Sequence, residues 1–196
     1  MEEVILLDEG GRSIGLQDKS TVHTQATPLH LAFSCYVFDA DGRFLMSRRS
    51  LRKRTWPGIW TNSFCGHPAP AERLVDAVRR RAEAELGMAL ADVKLVLPRF
   101  RYRAELDGVV ENEMCPVFTA RAASVPQPNP DEVQETEWVS WVDFTARAMV
   151  AQSRLSPWCR LQIAELQRLG ASPYEWPAAD AAELPDAARS QAPAAG

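Results

Sequence analysis

Hydrophobic positions fall into short runs broken by turn residues, with three longer segments of helical period. Val4 to Leu7 reads as a strand, and Asp8-Glu9-Gly10-Gly11 turns it into a second near Ser13 to Leu16. A strand-like run from Ala32 to Phe38 meets a hairpin turn at Asp39-Ala40-Asp41-Gly42 and continues into Phe44-Leu45-Met46. Beyond Gly87 short strands return: Val93 to Leu97, Phe100 to Glu105, a turn at Asp107-Gly108, then Val109 to Ala120. A Pro-rich loop from Val125 to Pro130 precedes a last strand around Glu137 to Trp141. Helices are expected over Ala71 to Leu86, Asp143 to Gln152 and Pro157 to Leu169. The last has Ser156 at the N-cap, Pro157 in the first turn and Gly170 as its stop. Strands mixed with a few helices predict an α+β sandwich with helices flanking mixed sheets.

The helix from Ala71 to Leu86 carries a peculiarity. At about 100° per residue, Ala71, Leu74, Val75, Val78, Ala82 and Leu86 share an arc of roughly 120°. Glu85 projects into the middle of that arc and Arg81 to its edge, while Asp76, Arg79 and Glu83 point away. A carboxylate on the buried side needs a partner, because an unpaired ion there is costly.

Composition narrows the class. The 196 residues suit a single domain over 1–170, followed by an Ala/Pro/Asp-rich tail, 171–196, expected to be loose because it cannot build a core. A net charge of −4 gives no support to nucleic-acid binding. No apolar run is long enough to span a membrane, and the start, Met-Glu-Glu-Val-Ile-Leu-Leu-Asp, lacks the features of a signal peptide. Cys35, Cys65, Cys115 and Cys159 have neither zinc-site spacing nor disulfide density, so they read as reduced thiols of a cytoplasmic protein.

Candidate chemistry gathers in the aromatic, Gly/Pro-punctuated loop Thr55-Trp-Pro-Gly-Ile-Trp-Thr-Asn-Ser-Phe-Cys-Gly-His-Pro68, where Cys65 and His67 lie two residues apart. The other histidines, His23 and His30, also sit in polar or loop segments. Strand alternation places Glu111 and Glu113 on one face with Cys115, where two carboxylates repel unless a cation lies between them. Three imidazoles and two carboxylates suit a divalent first-row ion, and an octahedral site with one open position suits manganese or magnesium better than tetrahedral zinc. A basic cluster, Arg48, Arg49, Arg52, Lys53 and Arg54, follows the hairpin.

Gly66, Glu72 and the run Arg80-Arg81-Ala82-Glu83-Ala84-Glu85-Leu86-Gly87-Met88 resemble a degenerate Nudix box, with Arg81 and Ala84 in place of two metal-binding glutamates. The whole stretch most resembles the type I isopentenyl-diphosphate isomerase family, which has Thr-Asn-Ser-x-Cys-Gly-His-Pro here. The resemblance covers roughly Glu3 to Leu169 and implies a Nudix-like α/β/α sandwich with mixed sheets, extended at both ends. It implies a metal on His23, His30, His67, Glu111 and Glu113, and a diphosphate held by Lys19, Arg49, Lys53 and Arg81. Glu85 would hold a Mg²⁺ arriving with the diphosphate; the alternative for Arg81 and Glu85, weaker because their angle points inward, is a simple i, i+4 ion pair. Cys65 and Glu113 would lie on opposite faces of the substrate, with Tyr102 bonded to Glu113 and Trp158 facing a carbocation. Trp56 and Trp60 could line the same pocket.

The implied activity is interconversion of isopentenyl and dimethylallyl diphosphate for isoprenoid synthesis, by a monomer or homodimer acting on a small diphosphate. Two rivals stay open. A Nudix hydrolase would want the carboxylates that Arg81 and Ala84 remove, and a non-catalytic binding module would have little need of Cys65, Tyr102, Glu113 and five ligands together.

Overall fold

A computed structural model describes residues 2–106, 108–150 and 154–189. Asp107, Gln152 and 190–196, on which parts of the expected turn, helix and tail fall, lie outside the described residues. In chain order the elements are β1 (Glu3–Leu7), β2 (Ser13–Asp18), α1 (Lys19–Val22), β3 (His30–Leu31), β4 (Phe33–Phe38) and β5 (Phe44–Arg49). There follow β6 (Trp60–Thr61), β7 (Phe64–Gly66), α2 (Leu74–Leu86), β8 (Leu90–Leu97), β9 (Arg101–Leu106) and β10 (Val109–Met114). The chain continues through β11 (Val117–Ala122), β12 (Val133–Val139), α3 (Trp141–Met149) and α4 (Pro157–Leu169) to a 3₁₀ turn and α5 (Asp186–Arg189).

Among the described residues the strands form two mixed sheets, ordered β2-β1-β3-β10-β9 and β12-β5-β4-β11-β8, with β6 on β5 and β7 on β4. The run expected as one strand from Val109 to Ala120 is two strands in different sheets. Pro116 causes the break: it has no N–H for a ladder, and the chain steps across at Cys115-Pro116. Its parallel neighbour steps across at the same level, at Ala32 between β3 and β4. The amides of Ala32 and Ser34 donate to the Met114 and Pro116 carbonyls at 2.9 and 3.0 Å, so the crossing leaves no torn ladder.

Both faces of the second sheet are covered, and β4 shows the consequence. Phe33, Cys35 and Val37 pack towards the apolar face of α2, while Tyr36 packs with Trp141, Phe144 and Ile163 of α3 and α4. A strand buried on both sides needs a nearly continuous apolar run. The inward face of α2 includes Arg81 and Glu85 among its buried residues, as its angular pattern predicts, whereas Ala71 lies exposed before the helix starts. Gly87 ends α2 in the left-handed conformation (φ 55°), and a Cβ there would lie 2.6 Å from the Gln127 carbonyl oxygen. α4 has the expected bounds, with the Ser156 side chain accepting from the Cys159 amide. No helix among the described residues is long and apolar enough to cross a membrane.

Residues 171–189 differ from the loose tail expected. Trp176 is 1% exposed and packs edge-on against Trp141 at 5.0 Å between ring centroids. Leu184, Ala187 and Ala188 join the core beside α2, and the Ala187 amide donates to the Gly11 carbonyl at 3.0 Å. Composition misleads here because one buried tryptophan and a few small apolar residues suffice to dock a segment onto a core built by others. Trp176→Ala should therefore cost about 3–5 kcal/mol of stability in equilibrium denaturation. A change within about 0.5 kcal/mol, normal for a surface site, would contradict the packing.

Candidate active site

The crossing strands place the acid–imidazole cluster. His30 on β3 pairs in parallel register with Glu113 on β10, which pairs with Tyr102 on β9. His23 follows α1, and His67 follows β7 directly. One potential ligand atom each from His23, His30, His67 and Glu113 lie within 4.8 Å of one another. The Glu113 carboxylate lies 3.3 Å from His67 Nε2 and 3.6 Å from His30 Nε2, and its other oxygen accepts from the Tyr102 hydroxyl at 2.8 Å.

His30 Nδ1 lies 3.0 Å from the Pro28 carbonyl, which can take the Nδ1 proton and turns Nε2 towards the cluster. Buried Nε2 atoms of His23 and His30 and Oε2 of Glu111 have no hydrogen-bond partner. An unpaired buried polar atom costs about 1–3 kcal/mol, and several around one point fit a divalent cation that would satisfy them together. Glu111 stands one step outside the four: its Oε2 faces His23 Nε2 at 3.0 Å.

Protonation follows from burial and proximity. Burial opposes a charge on Glu113, but the His30 and His67 rings beside it outweigh that and hold the carboxyl well below its usual range. Burial strips His67 of its proton, down to about 3, and leaves a neutral ring with a free lone pair. Burial also pushes the Cys65 thiol up to about 12, with the Glu113 charge adding to it. Cys65 is therefore a protonated thiol facing an ionised carboxylate, the arrangement of a pair that can hand over one proton and take up another.

A cavity of about 600 Å³ joins these groups to the cationic residues. Its lining includes Cys65, His67, Tyr102, Glu111, Glu113 and Trp158 together with Lys19, Arg49, Lys53, Arg81 and Glu85. Trp158 and Tyr102 form its aromatic wall, 5.9 Å apart between centroids. Trp56 and Trp60, expected as possible lining, are not part of it. Trp56 lies behind Trp158, edge-on at 5.4 Å, and Trp60 belongs to β6.

Each expected diphosphate cation already has a partner. Lys19 donates to Glu2 at 2.7 Å, Lys53 pairs with Glu132, and Arg81 Nε donates to Glu85 at 2.9 Å with Glu132 3.5 Å away. Arg49 donates to the carbonyls of Thr55 and Trp56 at 2.9 and 3.2 Å, bracing a loop in which Trp56 has a φ of 52°. Gly66 lets the cysteine strand approach α2, since a Cβ there would lie 2.8 Å from the Arg81 side chain. Glu72 accepts from the Ala69 amide and from Arg80, which also donates to the His67 carbonyl, so this box carboxylate fixes the histidine loop.

Sequence reasoning missed the groups behind the thiol. Ser34, Asn62 and Gln162 are fully buried; Ser34 Oγ and Asn62 Oδ1 each lie 3.2 Å from Cys65 Sγ, and Gln162 donates to Ser34 at 2.8 Å. The available signal was a lone serine inside an apolar strand and a glutamine on the inner face of α4. Glu2 and Glu132 gave no signal, because pairing between distant surface charges has no period.

The NUDIX domain model matches residues 28–159. The isopentenyl-diphosphate Delta-isomerase of Saccharopolyspora erythraea is 57% identical over 189 residues, 96% of this chain and 97% of that protein. The protein of the same name from Rhizobium rhizogenes is 46% identical over 192 residues, 97% of this chain and 92% of its own. Among solved structures, a Deinococcus radiodurans protein superposes with a TM-score of 0.66 at 17% identity, over 84% of this chain and 98% of its own. The MutT protein of Methanosarcina mazei Go1 gives 0.55 at 23% identity, over 72% and 94%. These two structures speak for the fold alone. With a Nudix domain over most of its length and such identity across nearly all of it, this chain belongs to the isopentenyl-diphosphate Delta-isomerase family of Nudix-fold proteins.

Proposed function

We propose that the protein interconverts isopentenyl diphosphate and dimethylallyl diphosphate by moving a proton on and off carbon. The observation that carries this reading is one pocket lined by a thiol, a carboxylate and two aromatic rings together with the cationic Lys19, Arg49, Lys53 and Arg81. The reaction adds a proton to the terminal alkene carbon and removes one from C2, through a tertiary carbocation-like state. An unactivated alkene is a poor base, so proton donor and acceptor must be close, oriented and shielded from water.

Cys65 and Glu113 are the proton-handling pair in this reading. The Tyr102 hydroxyl orients the carboxylate, and Trp158 offers a π face to the developing cation, worth up to about 2 kcal/mol or more when desolvated. Lys19, Arg49, Lys53 and Arg81 grip the diphosphate; arginine can bind it bidentate and lysine acts as a point charge. Their partners Glu2 and Glu132 would be displaced, and Glu85 would take the Mg²⁺ that accompanies the diphosphate. A divalent ion, manganese or magnesium with zinc as the alternative, would sit on His23, His30, His67 and Glu113 with Glu111 adjacent, and would supply a fixed positive charge setting the proton affinity of Glu113.

Incubation with isopentenyl diphosphate and Mg²⁺ in D₂O should give deuterated dimethylallyl diphosphate by NMR, without phosphate release. Phosphate release without isomerisation would establish a hydrolase, and no reaction in folded, metal-loaded protein would favour a binding module. Cys65→Ala and Glu113→Gln should each lower turnover by at least about 10³-fold while the circular dichroism spectrum and melting cooperativity stay native, because each removes one side of the proton exchange. Near-normal turnover in either variant would remove that residue from the mechanism.

A further inference from the structure

We propose that Asn62 is a positioning residue whose side-chain oxygen holds the Cys65 thiol and the Trp158 indole in one common frame. Its amide nitrogen donates to the carbonyls of Cys35 at 3.1 Å and Phe64 at 2.7 Å. Both N–H groups are thereby spent on backbone, and Oδ1 can only face the other way. There it accepts from Cys65 Sγ at 3.2 Å, Thr61 Oγ1 at 2.8 Å and Trp158 Nε1 at 3.3 Å. One acceptor therefore meets the thiol that handles a proton and the ring that faces the cation.

The frame extends into α4. With its hydrogen on Asn62, Thr61 must receive the hydrogen of Ser156, 2.9 Å away, and Ser156 in turn caps α4 by accepting from Cys159 N–H. Trp158 lies in the first turn of that helix, so the loop carrying Cys65 and the helix carrying Trp158 are tied both through Asn62 and through Thr61–Ser156. Ser34 touches the thiol from the other side. Its oxygen takes the Gln162 N–H, and Tyr36 holds Gln162 Oε1 at 2.9 Å. Asn62, Ser34, Ser156 and Gln162 are all fully buried, which shields their side chains from water.

Displacement of a reacting group by about 1 Å can cost around 100-fold in rate, which makes such a frame visible in turnover. The kinetic part rests on the isomerase reading; the indole part is measured on protein without substrate. Asn62→Asp is nearly isosteric but cannot donate to both carbonyls, so Oδ1 is no longer aimed. In the full chain it should lower kcat by about 10- to 100-fold with KM within about 2-fold, and move the Trp158 indole ¹⁵N–¹H signal, assigned with Trp158→Phe. Ser34→Ala, which touches Cys65 but not Trp158, should lower kcat about 10-fold and leave that signal in place. A folded Asn62→Asp with wild-type kcat, or with an unmoved indole signal, overturns the proposal. Should that variant not fold, wild-type protein decides: an indole N–H protected from solvent exchange supports the frame, and one exchanging as fast as an exposed tryptophan overturns it. A wild type inert towards isopentenyl diphosphate but with a protected indole would sink the isomerase reading and leave the frame standing.

Discussion

Two parallel strand pairs, β3–β10 and β4–β11, pass from one sheet to the other at the same level, and the site grows out of that crossing. Below it, register sets His30 beside Glu113; above it, Ser34 lies opposite Cys65 on β7. Where two sheets part, side chains can converge without a neighbouring strand filling the gap. Ladder bonds from Ala32 and Ser34 to Met114 and Pro116 keep the backbone satisfied through the step, so the opening is not a weak point. A largely buried acid–imidazole cluster and a half-buried thiol can then share one cavity.

Electrostatics gives that cavity two kinds of lining. One set of groups has its titration states fixed: Glu113 ionised, His67 neutral, Cys65 protonated. In the other, Lys19, Lys53 and Arg81 are matched by Glu2, Glu132 and Glu85. The half-exposed Lys19–Glu2 and Lys53–Glu132 pairs are each worth about 1 kcal/mol or less, so a multiply charged anion can exchange with them readily. Arg81 is only 7% exposed and must keep a partner at all times, which explains why Glu85 shares its face of α2.

Much of this was legible in the chain. The angular position of Glu85, the caps of α4 and the Glu111–Glu113 alternation each follow from one local period, and each residue lies where its period puts it. Other features depend on partners far apart in sequence. Pro116 inside Val109 to Ala120 marks a strand end, yet nothing local says that the chain changes sheets there. Residues 171–189 dock through Trp176, Leu184 and two alanines onto surfaces prepared by α2, α3 and β4, which composition cannot reveal. Arg49, which the resemblance gives to the diphosphate, spends its donors on the Thr55 and Trp56 carbonyls, a use that no local pattern reveals. Asn62 stands beside Thr61 in a loop, and its role depends on α4, nearly a hundred residues on.

The account turns on the unpaired nitrogens and oxygens between β3 and β10 being a cation site. Equilibrium denaturation of chelator-stripped full-length protein, titrated with Mn²⁺ and in parallel with Zn²⁺, measures this without reference to turnover. Stability should rise with the logarithm of free metal, reaching about 2.7 kcal/mol at a hundred times the dissociation constant, and the rise should be largely lost in His67→Ala. A wild-type stability that stays flat with both metals would contradict the account.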